Sequence, residues 1–296
     1  MLGTSCSNPT VKRNLSAVAL RFNGIWLLFD SPEGVQRQMM KANVSYMKVK
    51  YLFLSHLHAD HFLGLPGLIA TMSMHERDYP LQIFGPRGTK ECVRKSMELG
   101  LMHSNFEIKV KEVSSGIIVD EDSFSVSAVK LKHDVPCIGY IFKEKDKDGE
   151  FMREKAEKLG IPVGPLYSKL KEGHSVKVKG KTFKPEDVMD YSKSKKGKKI
   201  SFIMDTLPNE NYFDAIKNSD VLIHESAFIT KHITRAKETK HCTAKQAAEV
   251  AEKTHAKKLV LTHISPRYKN NEIVENEART VFGNVIVPKD LDEIEV

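Results

Sequence analysis

Apolar residues along this chain fall in short, bounded runs, most of them too short for helices and long enough for buried strands. The runs 17–22 and 25–29 flank Asn23-Gly24, and this pair predicts a hairpin because a type I′ turn needs positive φ at both central residues. Tyr51-Leu-Phe-Leu-Ser55 reads as a buried strand, followed by a turn leading into 62–74. Further strands are expected at 81–85, near 106–113, 124–132 and 138–142, with helices at 33–43 and 90–101. After a long polar stretch the apolar runs resume at Ile200–Met204. They continue as helix 209–218, strand 220–224, helix 244–255, strand 258–262, helix 271–282 and strand 285–287. Thr243 with Gln246 three positions on forms a capping box that opens the helix at Ala244. Antiparallel strands early and strand–helix alternation throughout predict an α/β fold in which two sheets pack together with helices outside.

The polar stretch carries most of the charge. The chain has 296 residues, a net charge of +8 and a pI near 9.1. Residues 165–199 hold eleven lysines, no arginine and four acidic residues, so this segment accounts for +7 and the rest of the chain is close to neutral. Just before it, residues 143–158 alternate six basic with six acidic residues, as a solvated neck or helix would. A basic arm on a neutral body points to nucleic acid; a solubilising surface loop is the plainer alternative. The expected organisation is one domain, 1–296, with an arm inserted at 145–198. The mean hydropathy of −0.35, the lack of any run of eighteen apolar residues and the polar N-terminal segment predict a soluble, cytoplasmic protein that does not enter a membrane. Cys6, Cys92, Cys137 and Cys242 are widely spaced, without a C-x-x-C pair, and read as ordinary reduced thiols.

The chemistry is concentrated directly after the strand-like run at 51–55. His56-Leu-His58-Ala-Asp60-His61 places four metal-ligand side chains in six residues. If the extended backbone persists, His56 and His58 project to one side, while Asp60 and His61 follow in the turn. Imidazole nitrogens and a carboxylate suit zinc, and the absence of cysteine from the cluster favours a catalytic over a closed structural site. Further ligands are expected at other strand ends, and three residues fit: His133 after 129–132, Asp205 after 200–204 and His263 after 259–262. Singly, each would more often be a helix cap or a locally satisfied histidine. Their recurrence at strand ends is what singles them out.

Several blocks together resemble the metallo-β-lactamase superfamily and, within it, the ribonuclease Z family, endonucleases that trim the 3′ end of precursor tRNA. They are Leu2-Gly-Thr-Ser5, Arg13-Asn14, Leu28-Phe-Asp30, Ser55 to Gly67, His133, Cys137-Ile-Gly-Tyr140 and Asp205-Thr206. His224-Glu225-Ser-Ala227, His241-Cys-Thr-Ala244 and Leu261 to Tyr268 follow in the same order. Gly164-Pro165-Leu-Tyr-Ser-Lys169-Leu-Lys171 is similar to a segment of the family's tRNA-gripping arm. The resemblance implies a four-layer αββα sandwich with an inserted, flexible basic arm. It implies two zinc ions per subunit, one on His56, His58 and His133 and the other on Asp60, His61 and His263, with Asp205 bridging them. It further implies Asp60 as proton acceptor, His241 as general acid positioned by Glu225, and RNA contacts from Gly164, Pro165, Lys169 and Lys171. His224 reads instead as a core histidine.

The implied reaction cuts after the discriminator nucleotide and leaves a tRNA 3′-hydroxyl and a 5′-phosphorylated trailer, catalysed by a homodimer in which one subunit's arm serves the other's active site. Three positions depart from the family pattern: Ser31-Pro32 stand for the usual Cys-Gly, Met204 for a glycine, and Cys242 for a serine. None removes an expected ligand. Two other readings share the motifs: a zinc phosphodiesterase of the same fold acting on small phosphodiesters, and a non-catalytic RNA-binding homologue.

Overall fold

The Asn23-Gly24 pair sets the first feature of the structure, a computed structural model that describes residues 1–98 and 104–296. Both residues lie at positive φ, 47° and 82°, and join β1 (Val18–Phe22) to β2 (Ile25–Phe29) as an antiparallel hairpin. Helix α1 (Val35–Lys41) and a 3₁₀ turn lead into β3 (Val49–Phe53), the run expected to be a strand. After the short α2 (Ala59–Phe62) and α3 (Leu65–Met74) come β4 (Leu81–Gly85), α4 (Thr89–Met97) and β5 (Ile108–Glu112). The expected helix at 90–101 therefore covers α4, and its last three residues lie outside the described residues. These five strands make one sheet in chain order, with β2 to β5 parallel.

The second sheet starts with β6 (Gly116–Asp120), β7 (Phe124–Leu131) and β8 (Cys137–Glu144). Its β6 was not expected from the sequence. Residues 122–124 and 143–198 form a second compact unit. That unit contains β9 (Glu150–Phe151), α5 (Arg153–Lys158), α6 (Pro165–Lys171), β10 (Val176–Val178), β11 (Lys181–Phe183) and β12 (Met189–Asp190). It has an apolar centre of its own, built from Ala156, Ile161, Tyr167, Leu170, Val176 and Val188, where the sequence suggested an arm with little core.

The larger unit resumes with β13 (Lys199–Ile203), α7 (Phe213–Ile216), β14 (Val221–Glu225), α8 (Ile233–Glu238), α9 (Ala244–Lys253), β15 (Leu259–Thr262), α10 (Glu272–Arg279) and β16 (Val285–Ile286). The second sheet has the order β16-β15-β14-β13-β8-β7-β6, with β13 to β16 parallel. Both sheets are thus mixed. Their inner faces meet through aromatic rings: Phe29 stacks on Phe202 at 3.6 Å between centroids, Phe53 lies 5.1 Å from Tyr140, and the Tyr140 hydroxyl donates to the Leu54 carbonyl at 2.6 Å. Outside the first sheet, Val35, Met39, Leu65, Leu68, Ile69 and Met72 of α1 and α3 pack on Leu28, Leu52 and Ile83. Outside the second, the alanine face of α9 and Val274 and Ala278 of α10 pack on Leu222, Leu259 and Leu261. This is the four-layer αββα arrangement. The Thr243–Gln246 capping box is present at the start of α9.

Candidate metal centre and active site

Each expected ligand sits just past the carboxyl end of a strand, where successive strands end side by side and turn outward. From β3 the chain runs through Leu54-Ser55 to His56 and His58, and the first turns of α2 carry Asp60 and His61. His133 follows β7, Asp205 follows β13, Glu225 ends β14 and His263 follows β15.

These positions converge on two adjacent clusters. In the first, the His58 Nδ1 lies 3.1 Å from the His56 Nε2 and 3.4 Å from the His133 Nε2. The second comprises Asp60, His61 and His263; in each cluster the candidate ligand atoms lie within 4.8 Å of one another. Asp205 stands between them with one oxygen toward each: Oδ2 is 3.5 Å from the His56 Nε2 and 3.9 Å from the His133 Nε2, while Oδ1 is 3.6 Å from the His61 Nε2 and 3.2 Å from the His263 Nε2. All seven expected ligands are therefore brought together.

Three of the converging atoms, His61 Nε2, His263 Nε2 and Asp205 Oδ1, are buried and make no well-aligned hydrogen bond. An unsatisfied buried polar atom costs about 1–3 kcal/mol, so three of them facing a common point fit the donors of a cation site. An all-nitrogen and oxygen set fits zinc, and equally other borderline divalent metals.

The opposite edges of the imidazoles are tied down, as metal-ligating histidines require. The buried Asp30 accepts from the Ser55 amide at 2.7 Å, from the Ser55 hydroxyl at 2.8 Å and from the His61 Nδ1 at 2.7 Å. The His263 Nδ1 lies 3.2 Å from the Ser16 Oγ, and the His133 Nδ1 lies 3.2 Å from the Lys240 carbonyl. Asp30 and His263 adopt left-handed backbone, φ 60° and 56°, a strained conformation of the kind that collects at functional sites. Burial works against protonation of His61, yet Asp205 and Asp30 overcome it and raise its pKa to about 9. Burial and then the neighbouring His61 push His56 well down. Asp205 is held well below the usual carboxylate range because His263, His61 and His56 outweigh its burial.

Beside the second cluster, the His241 Nδ1 pairs with the Glu225 Oε1 at 3.1 Å. Glu225 is fully buried and also accepts from the amides of Thr206, Cys242 and Ala227. A carboxylate fixed by three backbone donors fixes the imidazole in turn. Burial disfavours the His241 cation, but Glu225 and Asp205 prevail and raise its pKa to about 9. The His241 ring lies 5.5 Å from that of His263 and 5.3 Å from that of His133, at the edge of the metal clusters.

This chain is 44% identical over 296 residues to the ribonuclease Z of Methanosarcina mazei, covering all of this chain and 96% of the relative, and 43% identical to that of Archaeoglobus fulgidus with the same coverage. The chain belongs to the ribonuclease Z family. Among solved structures it is similar to the human tRNase Z, short form, with a TM-score of 0.73 and 28% identity over 99% of this chain and 97% of that one. The metallo-β-lactamase fold protein YhfI of Bacillus subtilis, at TM-score 0.69 and 17% identity over 98% of this chain and 94% of that one, shares the fold. A family profile described as the Anti-Pycsar protein Apyc1 also matches residues 1–137, the part carrying the first sheet and the ligands up to His133. The chain's clusters of histidine and aspartate able to hold a metal thus lie on the metallo-β-lactamase fold of the ribonuclease Z family.

Other expected residues lie elsewhere. Gly164 precedes α6 at φ 147°, and Pro165, Lys169 and Lys171 lie on α6, all within the second unit. His224 is buried, with its Nε2 3.0 Å from the Tyr212 hydroxyl and its Nδ1 bonded to the Glu225 carbonyl, so it faces the core. Met204 is buried beside Asp205, and Cys242 donates to the Glu225 carbonyl at 3.0 Å. The roles of Asp30 and Ser16 were missed. Asp30 was visible only as part of the Leu28-Phe-Asp30 block, and nothing local to Ser16 signals its bond to a histidine 247 positions away. No helix among the described residues is long and apolar enough to cross a membrane.

Proposed function

We propose that this tRNA 3′-processing endonuclease works with two zinc ions per subunit, one held by His56, His58 and His133 and the other by Asp60, His61 and His263, with Asp205 shared. The observation that carries this reading is the Asp205 carboxylate, whose two oxygens address the two clusters separately. When bound, a pair of such cations acidifies water, polarises the scissile phosphodiester and neutralises the charge that develops on its oxygens.

The remaining steps fall to the protein. Asp60 Oδ2 accepts from the Ser7 amide at 2.9 Å and keeps lone pairs free, so it orients the attacking water and receives its proton. His241, held by Glu225, contacts the phosphate and delivers a proton to the leaving 3′-oxygen. The cut falls after the discriminator nucleotide and leaves a tRNA 3′-hydroxyl and a 5′-phosphorylated trailer. Residues 145–198 form the inserted tRNA-binding arm of a single metallo-β-lactamase-fold domain. Pro165, Lys169 and Lys171 lie in its +7 segment with Gly164 just before it; Gly164 and Pro165 contact the RNA backbone while Lys169 and Lys171 neutralise its phosphates, so affinity falls with salt. The working form is a cytoplasmic homodimer.

Cleavage-site mapping on precursor tRNA with purified protein and its His58→Ala variant tests the chemistry, with zinc counted by mass spectrometry. One cut after the discriminator, abolished by the substitution, together with two zincs per chain is the expected result. Replacing the whole insert, 145–198, by a short linker that leaves β13 whole should raise KM for precursor tRNA while leaving hydrolysis of bis(p-nitrophenyl) phosphate intact. Equal losses on both substrates would exclude the arm as an RNA-binding element.

A further inference from the structure

Overlapping the seven-ligand set at His263, one more cluster of metal-ligating side chains stands out among the described residues. The sulfur of Cys6 and ring nitrogens of His241 and His263 lie within 4.8 Å of one another, and all three residues are buried. The placement is built into the fold. Ser5 bridges to Ile264, and the Cys6 amide donates to the Ile264 carbonyl at 3.1 Å, so the chain's first segment lies along the one that follows β15 and carries His263. Cys6 packs with Ala227, Phe228 and Ala236, residues that connect Glu225 to His241.

Each imidazole has one nitrogen turned away from the group that anchors it. The His263 Nδ1 is engaged by Ser16, and its buried Nε2, 3.2 Å from the Asp205 Oδ1, makes no well-aligned hydrogen bond and is the nitrogen that also faces the second cluster. The His241 Nδ1 is engaged by Glu225, which leaves Nε2. The Cys6 Sγ has a 3.2 Å contact with the Ser7 hydroxyl, an arrangement a cation readily displaces. One thiolate and two imidazoles make a softer donor set than the nitrogen and oxygen clusters beside them, and soft donors favour zinc and cadmium. Cys6 does not join the Asp60–His61–His263 cluster, so an ion on the sulfur sits to one side of that position and competes with it for His263.

We propose that Cys6, His241 and His263 form an inhibitory site for a thiophilic divalent cation, such as zinc in excess or cadmium. Binding releases the Cys6 proton to solvent and forms the metal–sulfur bond. It also occupies the His241 nitrogen and competes for His263. The inhibitory consequence rests on the roles given to His241 and His263 above; the site itself does not.

Cadmium titration of the full-length, zinc-loaded protein in a Cys92→Ser background separates the two. The expected result is a thiolate-to-cadmium charge-transfer band, saturating as cleavage of precursor tRNA falls about a hundredfold, the scale of a general acid's contribution. With Cys6→Ala added, cleavage at limiting zinc is retained, and both the band and the inhibition disappear. A band that persists without Cys6, or equal inhibition of both variants, overturns the site. A Cys6-dependent band without inhibition keeps the site and overturns its inhibitory role, along with the part assigned to His241.

Discussion

Asp30→Asn tests how the metal centre is held, because it changes one atom and leaves size nearly unchanged. In the native chain Asp30 accepts from the Ser55 amide, the Ser55 hydroxyl and the His61 Nδ1, all at 2.7–2.8 Å. In the neutral imidazole that a metal binds, a carboxylate accepting from Nδ1 keeps the proton there and leaves Nε2 bare, pointed at Asp205 and the second cluster. An asparagine can satisfy the Ser55 amide with its oxygen, but its NH₂ then meets the His61 Nδ1 as a second donor. The imidazole is driven to the other tautomer, which places a proton where a metal must bind. Loss of such an orienting partner typically costs ~10–100-fold in metal affinity, or about 1.4–2.7 kcal/mol. The assay is competition for zinc with a chromophoric chelator, read beside the melting temperature. The expected result is one class of zinc site weakened by at least ~10-fold, with the fold retained. Wild-type affinity at both sites would refute the claim that Asp30 fixes the His61 tautomer.

His241→Ala and Glu225→Gln should each lower kcat for precursor tRNA by about 10²–10⁴ while zinc content stays at the wild-type level; loss of metal in either would reassign the pair to structure. In chelator-treated protein, histidine NMR should find His241 titrating near 9 and shifted downward in Glu225→Gln. Since that pKa lies above the unfolded value of ~6.5, the stability it supplies is complete below pH ~6.5 and is lost as pH rises through about 9. An unchanged titration in the variant would exclude Glu225 as the cause. Gly64→Ala should destabilise the metal loop, because a Cβ there would fall 1.9 Å from the Pro32 carbonyl oxygen. Relief by backbone shift costs about 1–3 kcal/mol, a fall of a few degrees in Tm, and an unchanged melt would mean the α2–α3 turn yields freely.

The legible parts of this chain were those with local causes. The Asn23-Gly24 turn, the Thr243–Gln246 cap and the bounded apolar runs each signal their structure within a few residues, and they located most strands of both sheets. The candidate metal ligands were legible because each follows such a run. Strand β6 was not, since it is an edge strand with exposed Ile117 and a register irregularity, so no alternation marks it. Helix α8 buries only Ala236 and shows no apolar face. In the insert, the core residues Tyr167, Leu170, Val176 and Val188 are spaced among lysines, and composition hid them. Asp30, Ser16 and Cys6 matter through partners far along the chain. No pattern of neighbours could announce them.

The split attention of Asp205 also bears on when this chain can act. Its two oxygens join ligands mounted on the first sheet to His133 and His263 on the second, and His263 is made more than two hundred residues after His56. Contacts so distant in sequence are slow to form, and domains of this size fold as units. A nascent or half-folded chain therefore holds only fragments of each cluster. On the ligand set proposed above, competence to cut RNA arrives with the last ligand, so a metal-loaded centre is itself a certificate of completed folding.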